Sequence, residues 1–436
     1  MYSHLLQTTE IALGWEFYLP LLGMVVFIVL GVRIWVVLGL GSLALLSTTQ
    51  ALPLSLLGEA LFDGVDAFAL IAVPLFILTG DIMVRTGLSN KLLDVAEATM
   101  GWQRSGLGTS TVLGCGFFAC ISGSDAADAA AIGRITISRL VEKGYPKPYA
   151  CALVAAGSCT GILIPPSISY IIIGLVLGIS ASTLFLAAAI PGTLILFSVM
   201  ATNFIVNRVQ GYEDSRTGFN GQRWLKAVYE GRFALAIPFV ILGGIYSGIF
   251  TPTESAAVAV VVTFVIGFAQ KTISLRSIPK MLETSAKVNG VIVPIIAMSL
   301  PLAQTLASLE VPQYFVYTMT SLTENRYLIM LIMLLILVIA GCVMETTPNI
   351  VILAPLLLPL AREIGMDDIH FCIFMITSLG IGFITPPLGL NLFVVSGVSG
   401  EPVLPIARRA VGFAVAMLAV AILLMLIPAL SLWLIK

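Results

Sequence analysis

Long apolar runs separated by short polar stretches fill the chain. Their lengths are those of bilayer spans, which take roughly 17 to 25 residues. The pattern predicts full spans near 17–32, 34–50, 67–84 and 183–206, and again near 233–250, 253–270, 287–308 and 406–433. Two further apolar segments, near 148–178 and 369–397, are interrupted in their middles by adjacent prolines. Proline removes a backbone donor and restricts the residue before it, so neither segment continues as a single helix. Lipid cannot satisfy the backbone groups such a break frees, so each break must face protein or a water-filled cavity. The first runs Gly161-Ile162-Leu163-Ile164-Pro165-Pro166-Ser167, the second Gly382-Phe383-Ile384-Thr385-Pro386-Pro387. Gly161 and Gly382 are 221 positions apart, as are Pro165 and Pro386. Matching broken helices in two halves of a membrane chain point to the binding site of a transporter.

Ahead of each break lies a segment that reads as a re-entrant hairpin, entering and leaving on one face. Residues 105–142 are rich in Gly, Ala and Ser and turn at Ser122-Gly123-Ser124-Asp125, while residues 327–361 turn at Glu345-Thr346-Thr347. Ser124 and Glu345 are again 221 apart, so tip and break keep one register in both halves. Amphipathic stretches at 85–104 and 311–325 precede the hairpins, and a polar loop at 207–232 joins the halves.

Charge sets the orientation, because Lys and Arg collect on the cytoplasmic side. Arg33, the 85–104 stretch, Arg134, Arg139, Lys143 and Lys147 around the first hairpin, and the basic segments 207–232 and 271–287 go to the cytoplasm. The N-terminus, the 51–66 loop with Glu59, Asp63 and Asp66, and the acidic flanks of the second hairpin go outside. The hairpins therefore enter from opposite faces. The expected fold is an all-α polytopic membrane protein, an inverted repeat of ten full spans and two hairpins with both termini outside.

Composition agrees with this class. The chain is 58% hydrophobic and 10% charged, where soluble proteins carry about 25% charged residues. A net charge of -1 and the lack of a basic run leave nothing to track nucleic-acid phosphates. The first sixteen residues lack a basic n-region and hold Glu10 and Glu16, so the first apolar segment is expected to stay as an anchor. All six cysteines sit in apolar surroundings, with no zinc or disulfide spacing.

Re-entrant tips and unwound helices present free carbonyls and helix N-termini at the midplane. Carbonyls and hydroxyls suit a desolvated Na⁺, and positive helix ends suit an anion. The candidates in the first half are Ser122, Gly123, Ser124 and Asp125 with Gly161, Pro165, Pro166 and Ser167. In the second they are Glu345, Thr346 and Thr347 with Gly382, Thr385, Pro386 and Asn391. Plain helix capping competes with each tip. Ser122 and Asp125 have capping-box spacing, and Thr347-Pro348 has the form of an N-cap with an N1 proline. Thr251-Pro252-Thr253-Glu254 has the same cap form and no broken helix after it. Asp128, one turn past the first tip, faces either the cavity or its own hairpin. Glu345 is an ionisable group inside a membrane segment, which marks function by default. Asn289 and Gln304 either line the cavity or bond across helices, and His4 and His370 suggest no site.

Five motifs carry a resemblance. They are Ser-Gly-Ser-x-x-Ala-Asp-Ala-Ala-Ala-Ile-Gly (122–133), Gly-Ile-Leu-Ile-Pro-Pro-Ser (161–167), Tyr-Ser-Gly-Ile-Phe-Thr-Pro-Thr-Glu-Ser-Ala-Ala (246–257), Met-Glu-Thr-Thr (344–347) and Gly-Phe-Ile-Thr-Pro-Pro-Leu-Gly-Leu-Asn-Leu-Phe (382–393). In this order they resemble the large membrane subunit of TRAP transporters, the tripartite ATP-independent periplasmic transporters, over essentially the whole chain. The resemblance implies an elevator-type importer of a small organic acid, such as a C4-dicarboxylate or sugar acid, in the bacterial inner membrane. Na⁺ is implied as coupling ion, with no other cofactor. The implied partners are a small four-helix membrane subunit, expected as a separate chain because the first span comes almost at once, and a soluble periplasmic substrate-binding protein. By the same resemblance a transport domain, 105–206 with 327–436, moves against a scaffold, 1–104 with 233–326, and 207–232 is a cytoplasmic linker. A stand-alone Na⁺/dicarboxylate symporter would share the inverted hairpins and is set apart by the motifs alone. An intramembrane enzyme would need a sequence such as HExxH or a nucleophile elbow, which the chain lacks.

Overall fold

The computed structural model describes residues 14–213 and 218–435, and every regular element among them is helical. The first half opens with α1 (Trp15–Val29), α2 (Ile34–Thr49), α3 (Ser55–Val65), α4 (Ala72–Thr86) and an arm, α5 (Leu88–Met100). The first hairpin is α6 (Gly106–Ser122) and α7 (Asp125–Glu142). The broken helix follows as α8 (Lys147–Ser158) and α9 (Ile168–Leu177), and then α10 (Ala181–Gln210). The second half starts with α11 (Gly221–Tyr246), α12 (Pro252–Ala269), α13 (Ile278–Ser308) and the arm α14 (Val311–Leu322). Its hairpin is α15 (Arg326–Val343) and α16 (Thr346–Glu363), its broken helix α17 (Asp368–Gly382) and α18 (Leu390–Ser399). The chain ends in α19 (Val403–Leu426) and the short α20 (Ala429–Leu432). The bounds of α7 and α16 are 221 residues apart at both ends, and both proline pairs are joined by cis peptide bonds.

The halves interlock. α9 packs against α16 and α18 against α7, so the returning arm of each hairpin rests on the opposite broken helix. Lys147, at the start of α8, lies 3.9 Å from Glu401, just past the end of α18. The two broken helices therefore run antiparallel, as an inverted repeat requires. Cys159 Sγ lies 3.3 Å from the carbonyl oxygen of Gly380, its counterpart 221 residues on, so the pseudo-twofold axis passes here. α8 from Tyr149 to Ser158 and α17 from His370 to Gly382 are buried throughout. A helix apolar on every side is at home only in such a place. α1 is the opposite case, leaving Trp15, Tyr18, Leu22 and Val29 exposed.

Several elements differ from the sequence expectation. Seven helical stretches among the described residues are long and apolar enough to cross a bilayer by themselves. α1 and α2, with 15 and 16 residues, fall short of that length, and each broken helix is made of two shorter pieces. One of the seven is α15, the first arm of the second hairpin. It is long and apolar, yet the chain reverses at Met344-Glu345 and α16 packs back against it. The 51–66 stretch is not a loop: α3 forms there, burying Ala60 and Gly64 against α13 while Glu59, Asp63 and Asp66 face outward. Much of 207–232 is helical as well. α10 runs to Gln210, and α11 starts at Gly221 with Asn220 accepting from the Arg223 N–H at 3.1 Å. Polar residues carry α11 beyond the apolar span because that extension packs against α5. The expected placement of the termini, residues 1–13 with Glu10 and His4, Arg216 in the linker, and Lys436 lie outside the described residues.

Candidate functional site

At the first tip, α6 ends on Gly123, whose φ of 61° lies in the left-handed region. Glycine is needed here for space as well as for conformation. A Cβ would lie 3.1 Å from both the Pro166 carbonyl oxygen and the Ile168 nitrogen. The Ile168 N–H donates to Gly123 O at 3.2 Å and ties the tip to the start of α9. Ser124, not Ser122, is the N-cap of α7, its Oγ accepting from the Ala127 N–H at 3.5 Å. Ser122 turns inward instead, donating to Asp128 Oδ1 and accepting from the Ser124 N–H at 3.2 Å. Asp125 and Asp128 are 4% and 0% exposed, and the Oδ2 of each has no hydrogen-bond partner. Asp128 Oδ2 faces Gly161, where an added Cβ would lie 2.7 Å from it and 2.8 Å from the Asp125 nitrogen. Tip and break thus meet on two buried carboxylates. Ser167 belongs to the break itself: it donates to Ile162 O at 2.8 Å and caps α9 through the Ser169 N–H at 3.2 Å. Pro165 and Pro166 interrupt the ladder between Ile162 and Ile168.

The second junction repeats the backbone and changes the side chains. Glu345 is the N-cap of α16 but makes no capping bond with its side chain. Thr346 and Thr347 are the first two residues of the helix and are buried, so Thr347-Pro348 is not the cap its form suggested. Glu345 stands exposed beside a cleft of about 240 Å³ lined by Cys342, Leu388, Leu390 and Phe393. At the counterpart of Asp128 sits the wholly buried Asn349, whose Nδ2 donates to Ala340 O at 3.2 Å and Met344 O at 3.0 Å. Gly382 leaves no room for a side chain, since a Cβ would lie 2.5 Å from the Gly341 carbonyl carbon. The Leu388 and Gly389 N–H groups donate to Cys342 O at 3.1 and 3.3 Å, joining break to tip. Thr385 Oγ1 donates to Ile381 O at 2.8 Å across the interruption that Pro386 makes. Asn391 reaches into the first half, its Nδ2 3.3 Å from Ala155 O and 3.5 Å from Cys159 Sγ, with Oδ1 unpartnered.

The sequence-predicted residues therefore fall into two junctions, with Asn391 bridging them. Asp128 does both things expected of it, taking the Ser122 hydroxyl of its own hairpin on Oδ1 and turning Oδ2 toward Gly161 of the break. Asn349 was missed, although its 221-residue offset from Asp128 marks it. Thr251 and Glu254 form the reciprocal capping box, with Thr251 N–H to Glu254 Oε2 at 2.8 Å. His370 is buried in the first turn of α17, with Nδ1 3.0 Å from Ser431 Oγ. Asn289 and Gln304 both lie on α13, the latter exposed. Chemically, the first junction offers oxygen ligands with charge to be neutralised, the donor set of a hard cation.

A family model described as Tripartite ATP-independent periplasmic transporter, DctM component, matches residues 21–430. The isethionate TRAP transporter permease protein DctMQ of Oleidesulfovibrio alaskensis is 36% identical over 93% of this chain, which spans 64% of that longer protein. The C4-dicarboxylate TRAP transporter large permease protein DctM of Pseudomonas aeruginosa is 38% identical, over 85% of this chain and 87% of that one. Among solved structures, the YdaH transporter of Alcanivorax borkumensis covers 86% of this chain and 89% of its own with a TM-score of 0.63. At 13% identity that likeness is one of fold alone. These relatives are permease subunits of transporters, not enzymes. With its matched residues running from the first helix to the last, the chain belongs to the DctM family, the large permease subunits of tripartite ATP-independent periplasmic transporters.

Proposed function

We propose that the chain imports a small organic acid across the bacterial inner membrane, driven by a Na⁺ gradient. It works with a small membrane subunit and a periplasmic binding protein that delivers the acid. The substrate class is supported by relatives named for C4-dicarboxylates, sialic acid and 2,3-diketo-L-gulonate. The ion coupling rests on one observation, the Asp128 carboxylate buried at the first junction with an unpartnered oxygen. A lone charge in such a place costs several kcal/mol. A desolvated Na⁺ held by Asp128, Asp125, the Ser122 hydroxyl and carbonyls of the break offsets that cost. At the second junction Glu345, Thr346 and Thr347 with the carbonyls near Thr385 take a second Na⁺. The substrate carboxylate lies between the tips, where the N-termini of α7, α9, α16 and α18 present positive ends.

In this reading 105–206 and 327–436 carry ion and acid past the scaffold of 1–104 and 233–326. Each positive charge moved inward gains about 2.3 kcal/mol per 100 mV of membrane potential, so more than one Na⁺ per cycle drives uphill uptake of an anion. Proteoliposomes holding the chain and its small partner should accumulate substrate only with both an inward Na⁺ gradient and the binding protein. Robust accumulation without the binding protein would contradict the tripartite reading and favour a stand-alone symporter.

A further inference from the structure

A second polar cluster lies at the base of the first hairpin, on the arm α5. Glu97 on α5 accepts from Arg139 on α7 through Oε2, and from Arg223 on α11 through Oε1 at 2.9 Å. The arm is fastened to α11 along its length: Lys91 pairs with Glu230 at 2.8 Å, and Trp224 Nε1 donates to Thr99 Oγ1 at 3.2 Å. At Gly231 a Cβ would come within 2.9 Å of the Val95 side chain, so these helices touch closely. The arm also packs on α6 of the hairpin, and the pair with Arg139 adds a charged link between arm and hairpin to that apolar contact. Beside it opens a cleft of about 440 Å³, also lined by Glu142, Lys143 and Glu213, which gives the Arg139 side chain room to leave. The second arm has nothing equivalent: the counterparts of Glu97 and Arg139, each 221 residues on, are Thr318 and Leu360.

We infer that Glu97 is a lock on the transport stroke, closed when Arg139 and Arg223 share its carboxylate and open when Arg223 alone holds it. The inference rests on the moving-domain reading above. Arg139 must leave Glu97 if the hairpin is to slide past the arm. Arg223 travels with the arm and keeps the carboxylate paired throughout, so opening never leaves a bare charge. Exposed ion pairs are worth about 0.2–1 kcal/mol. The lock therefore biases the two positions by at most about fivefold and still allows turnover.

The two arginines are predicted to act with opposite sign, which a general loss of stability cannot imitate. Glu97→Gln and Arg139→Gln remove the closed-state bond and shift the population toward the open position. Arg223→Gln removes the partner that stabilises the open position and shifts the population toward the closed one. The test is a distance distribution between spin labels at Val141→Cys on α7 and Leu225→Cys on α11. It uses the full chain with its small membrane partner in lipid nanodiscs, with Cys120→Ala and the buried native cysteines kept. Wild type should show two distances whose proportions shift with Na⁺ and substrate. The long-distance fraction should rise about two- to fivefold in Glu97→Gln and Arg139→Gln, fall in Arg223→Gln, and return toward wild type in Arg139→Lys. Two distances with unchanged proportions in all variants would overturn the lock alone. A single distance in wild type under every ion condition would overturn the moving-domain reading and the lock with it.

Discussion

The two junctions share one backbone and hold different charges. At the first, Asp125 and Asp128 are sealed inside with unpartnered oxygens against Gly161. At the second, Asn349 takes the position of Asp128 and uses its amide to close on Ala340 and Met344 of its own hairpin. The carboxylate there, Glu345, has moved out to the exposed tip. Glycine and proline set the shared plan, because each allows or forbids a backbone path regardless of its surroundings. The polar filling is free to diverge. The first junction leaves one oxygen of each of two carboxylates unpartnered, whereas the second leaves the neutral amide oxygen of Asn349 so. Under the proposed Na⁺ coupling, the first is expected to hold an ion more tightly.

Asp128→Asn should break this difference most severely. Hydrogen bonds and contacts to a charged group are worth about 1.5–3 kcal/mol, so half-maximal uptake should need roughly 10 to 100 times more Na⁺. Glu345→Gln alters a carboxylate at the tip, outside the sealed part of its junction, and should raise the requirement less. Uptake titrated with Na⁺ in both variants decides it, and the reverse order would dissolve the contrast. Next come the glycines. Gly161→Ala and Gly382→Ala force a methyl against the facing hairpin, and such overpacking costs about 1–3 kcal/mol. Both should lower the thermal unfolding midpoint, while Gly290→Ala, with nothing within 4 Å of its Cβ inside α13, should leave it unchanged or raise it slightly. If the two tight sites tolerate alanine as Gly290 does, the close meeting of tip and break is wrong.

The smallest effects concern the caps. Ser124→Ala and Thr251→Ala each lose an N-cap worth about 1 kcal/mol, so both should lower stability by a similar amount. Of the two, Ser124→Ala alone should also raise the Na⁺ requirement, by a few-fold, since Thr251 caps α12 and belongs to neither tip nor break. Thr346→Ala should behave like Ser124→Ala in uptake, although no cap bond is at stake. Equal Na⁺ dependence in all three variants would mark the hydroxyls as structural.

Much of this architecture could be read from the chain because it is written in period and punctuation. The proline pairs, the tips and their common 221-residue offset need no tertiary information, and α7 and α16 keep that offset at both ends. Helices whose polarity comes from packing partners were harder to see. α3 reads as an acidic loop until its small residues are found against α13, and the polar start of α11 reads as linker until it covers α5. Local rotation hid the rest. Ser122, Ser124 and Asp128 are close together, and which hydroxyl caps the helix and which meets the carboxylate depends on the turn at Gly123. Asn349 escaped notice because a buried amide within a helix resembles any interhelical hydrogen-bonding residue.

Na⁺ binding at the first junction can be measured without transport. The midpoint of thermal unfolding should be followed for the chain with its membrane partner as NaCl replaces choline chloride at constant ionic strength. A ligand that binds the folded state alone raises stability with its concentration. Wild type should therefore climb steadily with Na⁺. Asp128→Asn, relieved of an unpaired buried charge, should start no lower in choline and stay flat as Na⁺ is added. A variant that climbs in parallel with wild type would show that Asp128 holds no Na⁺, and the first junction would lose its place as the coupling site.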